Sequence, residues 1–387
     1  MRFVYLDNNA TTRVDPEIAT AIWPFFSENF GNSSSLHQWG MTAKKAIRTA
    51  RQQVQKLLDA AEEQEIIFTS GGTEANNTAI LSALVSNPDR NEIITSAVEH
   101  PAILSLCAWL QKYRNLKIHY IGVDHKGRLD MEAYRQALNP KTALVSFMAA
   151  NNETGTIFPI EILSRMAHEA GSLFHTDAVQ IIGKLPVSVQ NSDIDMLSMS
   201  GHKLHAPKGI GVLYVRKGLK LQPLIRGGHQ ERGRRGGTEN VPAIVGLGLA
   251  AERARQSLSK DNSHIAPLRD QLEQGLLDIA GNGNAMVLGD KEHRLSNTLN
   301  IAFENTEGEA LLTFLDKAGI AASSGSACAS GSIEPSHVLR AMKIPYTFAY
   351  GAIRFSFSYE NTEEDIRYVL EKMKEIWGNN RIRRNIL

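Results

Sequence analysis

Seven short β-rich runs, "EIIFTS", "EIITSA", "KIHYIGV", "ALVSFMA", "LFHTDA", "DMLSMS" and "GVLYV", alternate with helical stretches between residues 65 and 215. Parallel strands need a crossover between them, so this rhythm predicts an α/β domain: a mostly parallel sheet covered by helices. In an open sheet of this kind ligands sit beyond the carboxyl ends of the strands. The residues that directly follow each run are therefore the candidates for chemistry, and they are unusually polar.

The flanking segments divide the rest of the chain. Residues 1–15 form an arm that should pack with the smaller domain, and Asp15-Pro16 gives a helix cap followed by Pro at the first helical position. The helix "PEIATAIWPFF" should kink or end at Pro24, and "MTAKKAIRTARQQVQKLL" is a longer amphipathic one. Residues 16–255 form the large domain. A charged helical stretch from about Leu247 leads into "SNTLNIAFE", "EALLTFLDKAGI", "AIRFSFS" and a last helix near Thr362, which predicts a smaller α+β domain over 256–387. The basic end, "NNRIRRNIL", reads as a frayed tail.

Charge excludes some classes of function. Lys+Arg of 42 against Asp+Glu of 41 leaves a formal charge of +1, so no global field favours nucleic acid or an acidic membrane. The Arg-rich "RGGHQERGRRGGTENVP" has no aromatic residue for stacking bases and reads as a loop near an anion. The start, "MRFVYLDNNATT", reaches Asp7 before an apolar signal core could form, and no stretch is apolar enough to span a membrane. The cytoplasm is the expected compartment.

Three turns carry the chemistry. "IIFTSGGTEANNTAI" passes from strand to helix through Ser70-Gly71-Gly72-Thr73, a phosphate cradle of helix N–H groups and a hydroxyl that matches neither the P-loop nor the dinucleotide fingerprint. "DMLSMSGHKLHAPKGIGVLYV" sets Ser200, His202 and Lys203 between two buried strands, with no room for a helix. Partial desolvation there lowers the pKa of a lysine and makes its amine a usable nucleophile. The histidines of "HKLH" lack a paired cysteine or carboxylate at ligand spacing, so no metal is expected. "LFHTDAVQ" ends a strand with Asp177 and Gln180. A lysine, a phosphate cradle and a strand-end Asp together point to pyridoxal 5′-phosphate.

The two cysteines call for separate accounts. Cys107 lies in the apolar helical stretch "PAILSLCAWL" and should be core. Cys328 sits in "SSGSACASG", where Ser, Gly and Ala leave it little apolar surface and the backbone great freedom, a setting that suits a reactive thiol.

"YLDNNATT", "GNSSSLH", "FTSGGTE", "VEHPA", "NNETGT", "HTDAVQ", "SGHKLHAPKG", "RRGGTENVP", "SSGSACASG" and "IRFS" occur in the order found in the cysteine desulfurases. The chain resembles the nitrogen-fixation (NifS-like) type of that class-V aminotransferase family along nearly its whole length. The resemblance implies the type I pyridoxal-phosphate aminotransferase fold, working as a homodimer. It makes Lys203 the Schiff-base lysine, Asp177 the partner of the ring nitrogen, and Gln180 a partner of the ring oxygen. It makes His100 a ring-stacking residue that takes part in proton transfer. The phosphate falls to Gly72, Thr73, Ser200 and His202, with Thr238 reaching in from the other subunit. Arg354 grips the substrate carboxylate, with Asn152 beside it, and Asn8 and His37 line the cleft. Three positions depart from the family pattern: Ser33 where Pro is usual, Ala329 where Thr is common, and Tyr359 where Arg is frequent.

The resemblance further implies that L-cysteine displaces Lys203 from the cofactor and that the freed amine takes the substrate α-proton. Cys328, as thiolate, then takes the substrate sulfur as a persulfide, leaving L-alanine. The sulfur passes to an iron–sulfur scaffold protein that serves nitrogenase. A loop over about 323–333 that enters the cleft and then presents its sulfur elsewhere is expected to be poorly ordered alone. The alternatives are a selenocysteine lyase or another enzyme on the same fold, and, in a different class, a non-catalytic sulfur carrier or assembly scaffold.

Overall fold

The computed structural model describes residues 2–324 and 334–378; Cys328 with the rest of 325–333, and the basic tail, lie outside the described residues. Strand β1 (Val4–Tyr5) and helices α1 (Pro16–Ile22), α2 (Pro24–Ser27) and α3 (Gln38–Leu58) come first. The large sheet follows, with β2 (Ile66–Thr69), β3 (Glu92–Ser96), β4 (Lys117–Ile121), β5 (Thr142–Met148), β6 (Leu173–Asp177), β7 (Met196–Ser200) and β8 (Gly211–Val215). Helices α4 (Gly72–Ser86), α5 (Pro101–Arg114), α6 (Met131–Ala137) and α7 (Ile160–Glu169) are interleaved with these strands. The remainder is α8 (Val241–Ala280), β9 (Ala285–Leu288), β10 (Thr298–Phe303), α9 (Gly308–Lys317), β11 (Ile320–Ala321), α10 (His337–Ala341), α11 (Tyr346–Ala349), β12 (Ala352–Ser356) and α12 (Glu363–Gly378).

All seven β-rich runs form one sheet in the order β2-β8-β7-β6-β5-β3-β4. Only β8 runs against its neighbours, β2 and β7, so the sheet is mixed but mostly parallel. Both faces are covered. Ile66 and Phe68 point into one apolar core and Ile67 into another, the alternation that a strand imposes on successive side chains. β10, β12 and β9 make a second, antiparallel sheet, and β1 pairs with β11. Among the described residues no helix is long and apolar enough to cross a membrane.

Helix α8 belongs to both parts of the molecule. Its 40 residues run without a break through residue 255. Ile244, Leu247 and Ala251 serve the core under the large sheet, whereas Ile265, Leu268, Leu272 and Leu276 serve the core of the small one. The arm crosses in the other direction. Val4 and Leu6 sit in the small core, Asn9 N–H donates to Ser356 Oγ at 2.8 Å, and Thr12 N–H donates to His202 O at 2.8 Å.

The Asp15 carboxylate caps α1 by accepting from Glu17 N–H, and Pro24 ends one short helix and starts the next. Tyr359 joins the elements in this corner: its hydroxyl donates to Asp15 Oδ2 at 2.8 Å, and the Arg253 guanidinium lies 3.4 Å above its ring. Ser33 donates to Glu239 Oε2 at 2.9 Å. Ala329 lies outside the described residues. Cys107 is fully buried among Ile103, Leu110 and Ile118, and burial pushes its thiol up to about 12.

Candidate active site

A cavity of about 470 Å³ opens at the carboxyl ends of the sheet strands. Gly72, Thr73, His100, Asn152, Asp177, Gln180, Ser200, His202, Lys203 and Arg354 all line it. These residues are spread over 283 positions of sequence, counting from 72 to 354 inclusive, and the sheet topology brings them together.

Strand β2 delivers the chain to Ser70-Gly71, and α4 begins at Gly72. No side chain caps α4, so its first N–H groups are left for other acceptors. A Cβ on Gly72 would lie 2.9 Å from Val179 Cγ2, which explains glycine at this close approach of helix and strand end. Glu74, one position after Thr73, accepts from Ser70 N–H at 2.7 Å and pairs with Arg235 at 2.9 Å. That pair ties the turn to the Arg-rich loop.

Asp177 ends β6 with its carboxylate held on both oxygens. Oδ1 accepts from Val179 N–H at 3.0 Å and Oδ2 from Asn76 Nδ2 at 2.7 Å. Asn76 was not singled out in the sequence. It follows Gly72 by one helical turn, so a polar residue four positions into α4 was the available signal.

His100 caps α5, its Nδ1 accepting from Ala102 N–H at 3.1 Å. The imidazole is therefore neutral with its proton on Nε2. Burial is the main cause of its lowered pKa, with Lys203 and His337 adding to the effect and Asp177 opposing it.

Lys203 and its neighbours sit on a single 3-10 turn, Gly201–Lys203, between the antiparallel strands β7 and β8. The connection is too short for an α-helix, as the spacing predicts. Lys203 Nζ donates to Ala10 O at 2.6 Å and to Asn9 O. His202 Nδ1 lies 3.1 Å from Thr11 Oγ1, and burial with the nearby Lys203 and Lys208 lowers its pKa to about 4. The arm thus supports two residues of the turn.

Arg354 reaches the cavity from β12 in the small domain and is almost fully buried. Its guanidinium pairs with Asp7 Oδ1 at 2.9 Å and donates to Asn152 O at 3.0 Å. The Nε group has no hydrogen-bond partner among the described residues.

Other expected site residues lie elsewhere. Asn8 donates to Ser356 O at 2.9 Å and lines a separate cavity of about 50 Å³, while its neighbour Asn9 lines the main one. His37 caps α3. Thr238 lines a separate cavity of about 220 Å³ with Ser70 and Glu231, outside the main one. Its loop is anchored by a buried ion pair, Arg51 to Glu231 at 2.6 Å, although Glu231 and Arg232 both have positive φ. Cys328 lies outside the described residues.

Two carboxyls are buried nearby, Glu153 in the cavity lining and Glu99 next to the lining residue His100. Glu153 accepts from Ser336 Oγ at 2.6 Å and is pushed up to about 7 by burial. Glu99 accepts on Oε1 from Ser96 Oγ at 2.6 Å and from Met148 N–H at 2.9 Å, and burial raises it from 4.5 to about 8. Between those values the folded chain keeps a proton that the unfolded chain has released. The carboxyl therefore destabilises the fold increasingly as pH rises through that window. Glu99→Gln should remove this dependence. Its thermal midpoint is expected to gain on the parent's as pH goes from about 5 to about 8, and a constant gap in calorimetry would contradict a protonated Glu99.

Comparison with known proteins agrees with this geometry. The class-V aminotransferase family model matches residues 4–369. A cysteine desulfurase of Gluconacetobacter diazotrophicus is 65% identical over 97% of this chain and 94% of its own length. The cysteine desulfurase NifS of Azotobacter vinelandii is 58% identical over 97% of this chain and 93% of its own. Among solved structures, a NifS-like protein superposes with a TM-score of 0.91 at 39% identity, covering 98% of this chain and all of that one. SspA in complex with cysteine does so with a TM-score of 0.81 at 34% identity, covering 93% of this chain and all of that one. With a mixed seven-stranded sheet, a small second domain and relatives matched over almost their full lengths, the chain belongs to the class-V aminotransferases and, within them, to the cysteine desulfurases, which are pyridoxal-phosphate enzymes.

Proposed function

We propose that this cysteine desulfurase takes sulfur from L-cysteine as a persulfide on Cys328, leaves L-alanine, and supplies the sulfur to an iron–sulfur scaffold protein for nitrogenase. The observation that carries the site assignment is one cavity lined by Lys203, Asp177, His100, Gln180 and Arg354. The relative named NifS supports the nitrogenase destination. The SspA structure with cysteine supports the substrate.

The donor set fits pyridoxal phosphate. The uncapped start of α4 at Gly72, with Thr73, Ser200 and His202, suits the phosphate, and a doubly held Asp177 carboxylate suits a protonated ring nitrogen. Gln180 serves the ring oxygen and His100 the ring face. Bound there, the cofactor supplies an electron sink for the substrate α-carbon.

The chain's own residues do the rest. Arg354 and Asn152 hold and orient the substrate carboxylate, a planar guanidinium being suited to that job. Lys203 Nζ removes the α-proton, and the neutral His100 moves a proton at Nε2. The Cys328 thiolate attacks the substrate sulfur: an S–S bond forms as the C–S bond breaks, and the electron pair stays with carbon, which is then protonated.

A homodimer completes the reading. Trp23, Phe26, Phe30, Leu36, Trp39 and Met41 are all exposed within one stretch of chain, apolar side chains that a second subunit would cover. Thr238, outside its own chain's cavity, would serve the phosphate of the other subunit. The domain division at 1–15, 16–255 and 256–387 and a cytoplasmic location belong to the same reading, with the second boundary falling within α8.

The test is to incubate holoenzyme of measured molar mass with L-cysteine, quantify alanine, and weigh the peptide that contains Cys328. Alanine together with a gain of one sulfur atom on that peptide is expected. Alanine with the peptide unmodified throughout the turnover time course would sink the persulfide route.

A further inference from the structure

After β6 the chain makes two successive turns, in which Ile182 N–H donates to Ala178 O at 3.1 Å and Leu185 N–H to Ile181 O at 2.9 Å. Between them Gly183 has φ +77, and a Cβ there would lie 2.1 Å from Leu204 Cδ1, so only glycine fits. The bend turns Lys184 back onto Gln180. Lys184 Nζ donates to Gln180 O and to Gln180 Oε1, both at 3.0 Å.

This contact decides which way the Gln180 amide faces. An amine that donates to the amide fixes its oxygen on the Lys184 side, so the NH₂ group must point the other way. Nε2 does so, donating to Asn9 O at 3.2 Å, the same carbonyl that accepts from Lys203. Lys184 is itself held in place. Its carbonyl accepts from Asn262 Nδ2 at 2.7 Å, and Ser296 Oγ donates to Asn262 Oδ1 at 2.5 Å. Desolvation, followed by the charges of Lys203 and Arg354, lowers the Lys184 amine to about 7. A polar group kept in such a setting against its desolvation cost is a candidate for a defined task.

We propose that Lys184 is a positioning residue that locks the Gln180 amide with its donor end toward the cofactor's ring oxygen. The inference rests on the reading of Gln180 given above. If the amide were free to turn, its oxygen would face an anionic oxygen for part of the time, and a stabilising hydrogen bond would become a repulsion.

The test is an absorbance-monitored pH titration of the holoenzyme's visible band in the parent, Lys184→Met, Gln180→Leu and the double variant. Losing a donor to the ring oxygen disfavours the deprotonated form, so Lys184→Met is expected to raise the midpoint by about one pH unit, the worth of one charge-assisted hydrogen bond. Gln180→Leu should raise it at least as far, and the double variant no further than Gln180→Leu alone. Lys184→Arg, which keeps two donors, should stay near the parent. An equal Lys184→Met shift in both backgrounds would make the lysine a direct charge on the cofactor and overturn the proposal. So would an unmoved midpoint in Lys184→Met beside a shifted one in Gln180→Leu. If Gln180→Leu itself leaves the midpoint in place, the reading of Gln180 fails and the proposal with it. Lys184→Gln, one atom shorter than lysine and unable to span the contact, gives the same readout should the methionine variant not fold.

Discussion

Lys203→Ala is expected to purify without the visible band of bound cofactor and to turn over L-cysteine at least 10²–10⁴-fold more slowly, about the contribution of a positioned acid–base group. The lysine stands on a turn with little freedom: Gly201 N–H donates to Ile210 O at 2.9 Å, and Leu204 N–H closes the turn on Gly201 O. Two arm carbonyls receive its Nζ group. Among the described residues lining the cavity it is the one lysine. A variant that kept its band and turned over within about tenfold of the parent would place the proton transfer elsewhere.

The second large effect concerns a residue placed by sequence alone. Cys328→Ala should still bind cofactor and L-cysteine, but its alanine production should fall by about 10² or more because the nucleophile is gone. Cys107→Ala is the internal control. That thiol is buried in the large-domain core and pushed up to about 12, so it is not a thiolate near neutral pH. Its replacement should leave turnover unchanged and cost about 1 kcal/mol of stability, as the loss of a small core group does. Coupled alanine assays with chemical denaturation of both variants separate the two effects. Equal loss of turnover in both would undo the division of roles between the cysteines.

Strands β2, β3, β5, β7 and β8 of the large sheet were legible because they are buried on both faces and so read as short apolar runs. β9 was not, since "AMVL" is a four-residue apolar run at a partly buried sheet edge, and so short a run directly after a long helical stretch does not tell strand from helix by periodicity. The helical stretch read from about Leu247 forms as part of α8, which starts earlier, at Val241, and continues past Pro267 because each half has its own core to pack against.

The site shows a similar division. Residues at strand ends, such as Asp177 and Ser200, follow from topology, whereas Asn9 and Lys184 act through contacts that no motif encodes. Asn9 offers a backbone carbonyl, which every residue has, so its identity carries no sign of the role. Lys184 meets Gln180 only because Gly183 bends the chain, and the left-handed φ of one glycine cannot be read from composition.

The arm also has a consequence for how the enzyme comes into being. Its residues leave the ribosome well ahead of their partners, since β1 pairs with Ile320 and Ala321, and Asn9 docks on Thr298 and Ser356. Those partners lie far along the chain, and such distant pairings form late. The carbonyls that receive the Lys203 amine therefore reach their final positions only after β12 has emerged. A nascent chain halted before β12 should carry a formed large sheet and no competent lysine, which makes capture of the cofactor an event that follows translation.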